Sequence, residues 1–187
     1  KEGGANYRWI IDPIEGPTNL EHKHTYFCIS IGLEVNGEMA AGVVYAPLPQ
    51  EMFVASKGGG AFLNDKKVSV SEVSLQDSLL GTGFNPSFPE LIEANYKHYQ
   101  HFMEVAHGIR RCGAAALDLC YVAAGRLDGF WELALNPWDM AAGLLIIQEA
   151  GGKVTNINGT PFNIEEPSIL ASNGHIHQDM TDYFAGQ

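Results

Sequence analysis

Asn36-Gly37 stands between two runs rich in apolar residues, 26–35 and 39–45, and that juxtaposition constrains the fold more than any other feature of the chain. The dipeptide favours the positive φ angles of a tight turn, so the two runs predict neighbouring antiparallel strands. The meander extends on both sides. Residues 9–12 read as a short apolar strand, with a helix starting near Pro17 wedged behind it. Residues 51–56 follow the Pro47-Leu48-Pro49 break, Gly58-Gly59-Gly60 leads into 61–63, and Asn64-Asp65 turns the chain into 66–70. The triple glycine lacks the Lys-Ser/Thr and the helix of a phosphate loop, so it reads as a hairpin turn.

From about Ser78 the rhythm changes to strand and helix in alternation. Residues 78–83 read as a small strand. Ser87-Phe88-Pro89-Glu90 has the form of a capping box opening a helix that runs to about His107 and stops at Gly108. Leu91, Ile92, Tyr96, Tyr99 and Met103 are the expected apolar face of that helix. Residues 114–124 predict a second helix of small residues closed by Gly125, and 127–133 a strand. Residues 139–150 predict a helix closed by Gly151-Gly152, and 168–172 a late strand. The fold class expected is α/β (α+β), with an antiparallel half over 1–75 and an α/β half over 76–187.

Composition narrows the partners. With 187 residues, 45% of them hydrophobic and 18% charged, the chain can bury a sizeable core unaided. A net charge of -11 repels nucleic acid and anionic membranes. No stretch approaches the roughly 20 apolar residues of a membrane span, and no signal peptide is visible. Cys28, Cys112 and Cys120 are odd in number, widely spaced and set in apolar runs. They read as buried, reduced thiols of a cytoplasmic protein rather than a disulfide framework or a zinc site.

The chemistry concentrates in two carboxylate motifs. In the first, an apolar strand runs into Asp12 and Glu15, then Gly16, then Thr18 and Asn19. That order suits a divalent cation at a strand end beside a helix N-terminus, where phosphate can dock. Pro17 interrupts it, because it lacks an N–H where a phosphate cradle would want one. The second motif, Asn136-Pro137-Trp138-Asp139-Met140, again follows a strand and opens an apolar helix. Taken singly, Asp139 is an N-cap, Asp12 an Asp-Pro turn and Glu15 a first-turn acid on the helix dipole. His22-Lys23-His24 reads as a solvent-facing loop and His175 and His177 as surface. His98, His101 and His107 fall at exposed and boundary positions of the long helix, and the Tyr and Phe positions read as core.

Taken together, the motifs carry a resemblance. Asp12-Pro13-Ile14-Glu15-Gly16-Pro17-Thr18-Asn19 is followed by Ser30-Ile31-Gly32, Gly42-Val43-Val44-Tyr45 and Gly60-Ala61-Phe62-Leu63-Asn64. Trp138-Asp139 and Glu149-Ala150-Gly151-Gly152 come later in the expected order. The pattern resembles the inositol monophosphatase family of magnesium-dependent, lithium-sensitive phosphatases, from Trp9 to about Gly174. The resemblance implies a layered α-β-α-β-α sandwich like that of sugar phosphatases. Residues 1–75 would then be the metal and phosphate half and 76–187 the substrate half.

By the match, Asp12 would bridge two metal ions and the carbonyl of Ile14 would bind one of them. Glu15 takes the place of the family's second Asp, and Asp139 matches the distant Asp of the second metal site. Such hard oxygen ligands imply two or three Mg²⁺ ions, with Mn²⁺ or Ca²⁺ able to substitute in binding. Gly16 would present its N–H to phosphate, and Thr18 would partly replace the hydroxyl missing at Pro17. Gly113, Ala114 and Ala115 would face the substrate, and Glu132 would accept hydrogen bonds from a polyol. The reaction implied is metal-assisted hydrolysis of a small phosphorylated metabolite by a cytoplasmic homodimer. Inositol monophosphate is the leading substrate; a nucleotide 3′-phosphate and fructose-1,6-bisphosphate share the same metal motifs.

Three departures from the pattern predict poor turnover. The family's Gly-Glu-Glu element lies well upstream of the first signature, whereas eleven residues precede Asp12 here and Glu2 stands too near it. Two N-terminal helices would be missing with that element, leaving one face of the first sheet uncovered unless another chain packs there. Glu15 moves a carboxylate outward by one methylene, and Pro17 replaces a threonine that orients water. These departures favour a reading of another class, a catalytically impaired member acting as an interaction or assembly protein; the alternative they leave is a truncated version of an ordinary enzyme.

Overall fold

The computed structural model describes residues 6–186, so Glu2 lies outside the described residues. The meander forms a six-stranded antiparallel sheet in simple sequential order. Its strands are β1 (Tyr7–Glu15), β2 (Cys28–Val35), β3 (Glu38–Ala46), β4 (Glu51–Ser56), β5 (Gly60–Leu63) and β6 (Lys66–Lys67). β1 is longer than expected and runs through both carboxylates. The Asp-Pro turn is therefore a strand with an irregularity, because the register slips between Asp12, paired with Ser30, and Glu15, paired with Cys28. Pro13 is tolerated there because β1 is an edge strand. β6 stops early: the N–H of Val70 is taken by the carbonyl of Ala150, which draws the chain out of the sheet. The helix near Pro17 is a single short turn, α1 (Pro17–Glu21).

The second half alternates as expected through β7 (Leu79–Thr82), α2 (Pro89–Val105), α3 (Ala115–Ala123), β9 (Gly129–Leu133), α4 (Pro137–Glu149) and β11 (Ser168–Ser172). It adds two strands too short to read from a pattern, β8 (Gly108–Arg110) and β10 (Lys153–Thr155), and ends in α5 (His177–Ala185). The second sheet has the order β10-β11-β9-β7-β8, with β7 parallel to β8 and β9 and the other pairs antiparallel.

Helices α3 and α4 pack between the two sheets, while α2 and α5 cover the far face of the second. Sheet, helices, sheet and helices thus follow one another in layers, as the fold class required. α4 is apolar on all sides because it meets a sheet on one side and α3 on the other. Cys28, Val44 and Phe53 of the first sheet share one buried cluster with Ile169 and Ala171 of the second. On the outer face of the first sheet Trp9 (63% exposed), Ile11, Ile29 and Met52 are exposed.

Several local expectations fail for identifiable reasons. α2 has no capping box: Phe88 is its cap residue, without a side-chain cap bond, and the Ser87 N–H donates to Asn85 Oδ1 at 3.0 Å. Its buried positions are Asn95 and Phe102, while Tyr96 and Met103 are exposed. Asn95 is satisfied in the core, accepting from Trp131 Nε1 at 2.7 Å and donating to the Gly83 carbonyl at 2.7 Å. His175 is exposed as expected, but His177 is buried. Its ring lies between Thr155 Oγ1 at 3.0 Å and Ser172 Oγ at 2.8 Å, because α5 starts against the β10–β11 edge. Burial lowers its pKa to about 4. All three cysteines are free; Cys28 and Cys120 are buried and Cys112 only partly so. Phe53, Phe102 and Phe130 are core, whereas Tyr7, Phe88 and Tyr96 are exposed.

Candidate functional site

Asp12, Glu15 and Asp139 each offer a carboxylate oxygen, and the three atoms lie within 4.8 Å of one another. Asp12 and Glu15 come from the end of β1, where the slip in register brings two side chains toward one side of the sheet. Asp139 comes from the first turn of α4, which is held to the sheet by Ser30 Oγ donating to the Trp138 carbonyl at 3.3 Å. Asp139 is not the N-cap. Asn136 is, and its backbone N–H and side-chain Nδ2 donate to Asp139 Oδ2 at 2.7 and 3.3 Å. The Asp12 carboxylate accepts the Ile14 N–H at 2.9 Å.

Glu15 is 8% exposed and so is Asp139. Burial, and then the charges of Asp139 and Asp12, hold the Glu15 pKa far above the usual carboxylate range. Burial also raises Asp139, although the Asn136 donors pull the other way. Among the described residues, no Lys or Arg forms an ion pair with the three. A converging, oxygen-only set with uncompensated negative charge fits a hard divalent cation.

Of the substrate-facing candidates, Gly16 and the Gly113-Ala114-Ala115 segment meet beside this cluster. Gly16 has φ 83°, and a Cβ there would lie 3.1 Å from the Gly113 carbonyl oxygen and 3.2 Å from the Ala114 Cβ. Only glycine allows both the left-handed backbone and this approach. Asn19 latches the two segments together, its Nδ2 donating to the carbonyls of Tyr26 at 2.6 Å and Cys112 at 2.9 Å. Ala115 opens α3, and its N–H donates to Glu15 Oε1 at 2.6 Å. Glu132 lies on β9; burial raises its carboxyl to about 8, Asp118 and Asp139 adding to the rise and Arg111 opposing it. Thr18 is exposed on α1, and Ile14 is exposed with its N–H turned back to Asp12.

Sequence reasoning missed three contributors. Asn19 was legible only as part of a motif. Asn136 was passed over beside Asp139, although Asn three residues before Asp is a helix-start signal. Asp118 is an acid in a helix of small apolar residues, and that contrast was the available clue. It is 1% exposed, accepts the Tyr26 hydroxyl at 2.7 Å, and is raised by burial to about 7.

The sequence profile of the inositol monophosphatase family matches residues 1–185. The inositol-1-monophosphatase of Synechocystis sp. is 44% identical over 178 residues, covering 95% of this chain and 62% of that protein. The Nus factor SuhB of Pseudomonas aeruginosa is 47% identical over 174 residues, covering 91% of this chain and 64% of that protein. Among solved structures, the inositol monophosphatase from Anabaena (Nostoc) sp. superimposes with a TM-score of 0.93 at 44% identity, over 96% of this chain and 72% of that one. The chain spans less than two thirds of the length of these two sequence relatives.

Proposed function

The chain belongs to the inositol monophosphatase family, and from that premise we propose that it carries out magnesium-dependent hydrolysis of a small phosphate monoester. Inositol monophosphate is the leading substrate, with a nucleotide 3′-phosphate or fructose-1,6-bisphosphate as alternatives. The observation that carries this reading is the convergence of Asp12, Glu15 and Asp139 within 4.8 Å, next to Gly16 and the start of α3. These three carboxylates would hold Mg²⁺, with the Ile14 carbonyl as a further oxygen ligand. When bound, the ion supplies Lewis-acid stabilisation of charge on the phosphoryl oxygens. The Gly16 N–H donates to the phosphate, and Glu132, Gly113 and Ala114 border the alcohol portion. Thr18, the residue after Pro17, would supply a hydroxyl in place of the one missing there. Asn19 keeps the phosphate and alcohol sides in register through its bonds to Tyr26 and Cys112.

The test is phosphate release from inositol 1-phosphate in Mg²⁺, beside Asp12→Asn and Asp139→Asn. Release no faster than in those variants would sink the reading. Fructose-1,6-bisphosphate and adenosine 3′-phosphate, assayed in parallel, rank the substrates. The proposal includes a cytoplasmic homodimer, checked by light scattering of the purified protein.

A second reading, an interaction or assembly protein, draws on the Nus-factor name of the Pseudomonas relative and on the open apolar row Trp9, Ile11 and Ile29. Under it, Trp9→Glu would abolish the cellular role while Asp12→Asn would leave it intact. The opposite pattern supports the enzyme.

A further inference from the structure

Glu15 is one methylene longer than the aspartate of the family signature, and the structure records where the added reach goes. Its Oε1 accepts the Ala115 N–H at 2.6 Å, across 100 residues of sequence. Ala115 is the first residue of the nine-residue helix α3, and the cap residue Ala114 has no side chain able to accept a bond there. A first-turn N–H has no partner within its own helix. Glu15 supplies that partner from β1, through a short bond from the amide to a carboxyl oxygen. An oxygen of the same carboxyl group lies within 4.8 Å of carboxylate oxygens of Asp12 and Asp139, so it links the acidic cluster to the helix start. The donor it takes belongs to the Gly113-Ala114-Ala115 segment, the segment that borders the alcohol portion of the substrate under the proposed function.

We infer that Glu15 determines specificity: by capping α3 it withdraws the Ala115 N–H from the substrate. An alcohol rich in hydroxyls then gains nothing at this point over a simple one. The protein discriminates weakly between polyol monophosphates and monoesters of small alcohols, and an aspartate here would restore the preference for the polyol. This inference rests on the phosphatase reading for its substrate consequence, but the cap itself does not.

The experiment has two arms. In the first, amide hydrogen exchange and the ¹⁵N–¹H shift of Ala115 are followed by NMR in the metal-free protein and with Mg²⁺ alone. Glu15→Asp cannot span the gap from the same backbone position. It should lose about tenfold of the protection at Ala115, the scale of one buried hydrogen bond. Glu15→Gln keeps the reach and an acceptor oxygen and should retain that protection, which separates reach from charge. An Ala115 amide in Glu15→Asp that behaves as in the parent protein overturns the inference. In the second arm, KM is compared for inositol 1-phosphate and ethyl phosphate, whose alcohol portion carries no further hydroxyl. The ratio of the two should fall about fivefold or more in Glu15→Asp, less than the tenfold expected for a complete hydrogen bond. An unchanged ratio with lost protection overturns the specificity role. If neither protein turns over either ester, the phosphatase reading falls and the specificity role with it, while the Ala115 amide still reports on the cap.

Discussion

Gly42 of β3 and Ala142 of α4 meet backbone to backbone: a Cβ on Gly42 would lie 2.8 Å from the Ala142 carbonyl oxygen. Gly32 of β2 makes the same approach to Ala141, at 2.9 Å from its Cβ. The two glycines set how deeply α4 sinks against the sheet, and so how far Asp139 reaches toward Asp12. Gly42→Val should push the helix outward. We expect a loss of about 1–3 kcal/mol of stability, the usual cost of overpacking, together with weaker Mg²⁺ binding. Urea unfolding and calorimetric titration check both. Unchanged Mg²⁺ affinity in a destabilised Gly42→Val would mean that this contact does not set the site.

Asp139 serves the helix and the cluster at once, and two substitutions separate the roles. Asp139→Asn keeps an oxygen that can accept the Asn136 N–H but removes the charge. It should lose Mg²⁺ affinity while keeping its metal-free stability. Asp139→Ala also loses the cap bond, at a cost of about 0.5–2 kcal/mol. Equal metal-free stability of the two variants would contradict the reciprocal contact with Asn136 at 2.7 Å.

How far the sequence led depended on the range of the interaction. The meander was legible because Asn36-Gly37, Gly58-Gly59-Gly60 and Asn64-Asp65 impose local turn geometry on runs rich in apolar residues. The pairing of Asp12 with Asp139 was legible only through a family resemblance, since no local pattern links residues so far apart. What escaped was nonlocal or marginal. β8 and β10 are three residues each and exist because neighbouring strands complete them. His177 looked like surface because its burial comes from Thr155 and Ser172, in strands the chain reaches by other routes. Tyr96 looked like core because helical periodicity fixes a face without saying how wide a stripe the sheet will cover. The use of Glu15 to cap α3 could not be read at all, because it depends on where the start of another helix arrives.

Asp118 should make the protein less stable as pH rises through the acid range. Its carboxyl faces Tyr26, Cys112 and Arg111, with Glu132 also in its electrostatic surroundings. Burial raises it to about 7 in the folded state, against about 3.9 in an unfolded chain. The folded state therefore binds the proton more tightly. Its contribution is fully present below about pH 4 and is lost as pH climbs to about 7. Asp118→Asn keeps an acceptor for the Tyr26 hydroxyl and never ionises. Its stability should vary less over that window and exceed that of the parent by a few kcal/mol above pH 7. Glu132, raised to about 8, and Glu15, raised further, add a slope of the same sign to both proteins from about pH 4 upward, so the Asp118 contribution is read as the difference between the two profiles. Parallel urea-unfolding profiles of the two proteins between about pH 4 and 7 would refute this assignment.

Pro17 offers the most direct test of what the signature has lost. It is the first residue of α1, directly after the left-handed Gly16, and it is exposed. Proline suits that position in a helix, so Pro17→Thr should cost no more than about 1 kcal/mol of stability. In exchange it restores an N–H and a hydroxyl beside the carboxylate cluster. One preorganised donor at developing charge is commonly worth roughly 10²–10³ in rate, so kcat for inositol 1-phosphate should rise by at least about tenfold. Thr18 supplies the control. If its exposed hydroxyl partly stands in for the missing one, Thr18→Ala should slow the parent protein but leave Pro17→Thr nearly unaffected. That non-additivity identifies two groups sharing one role. Independent effects of the two substitutions, or a kcat unmoved by Pro17→Thr, would show that the proline is no impediment to turnover.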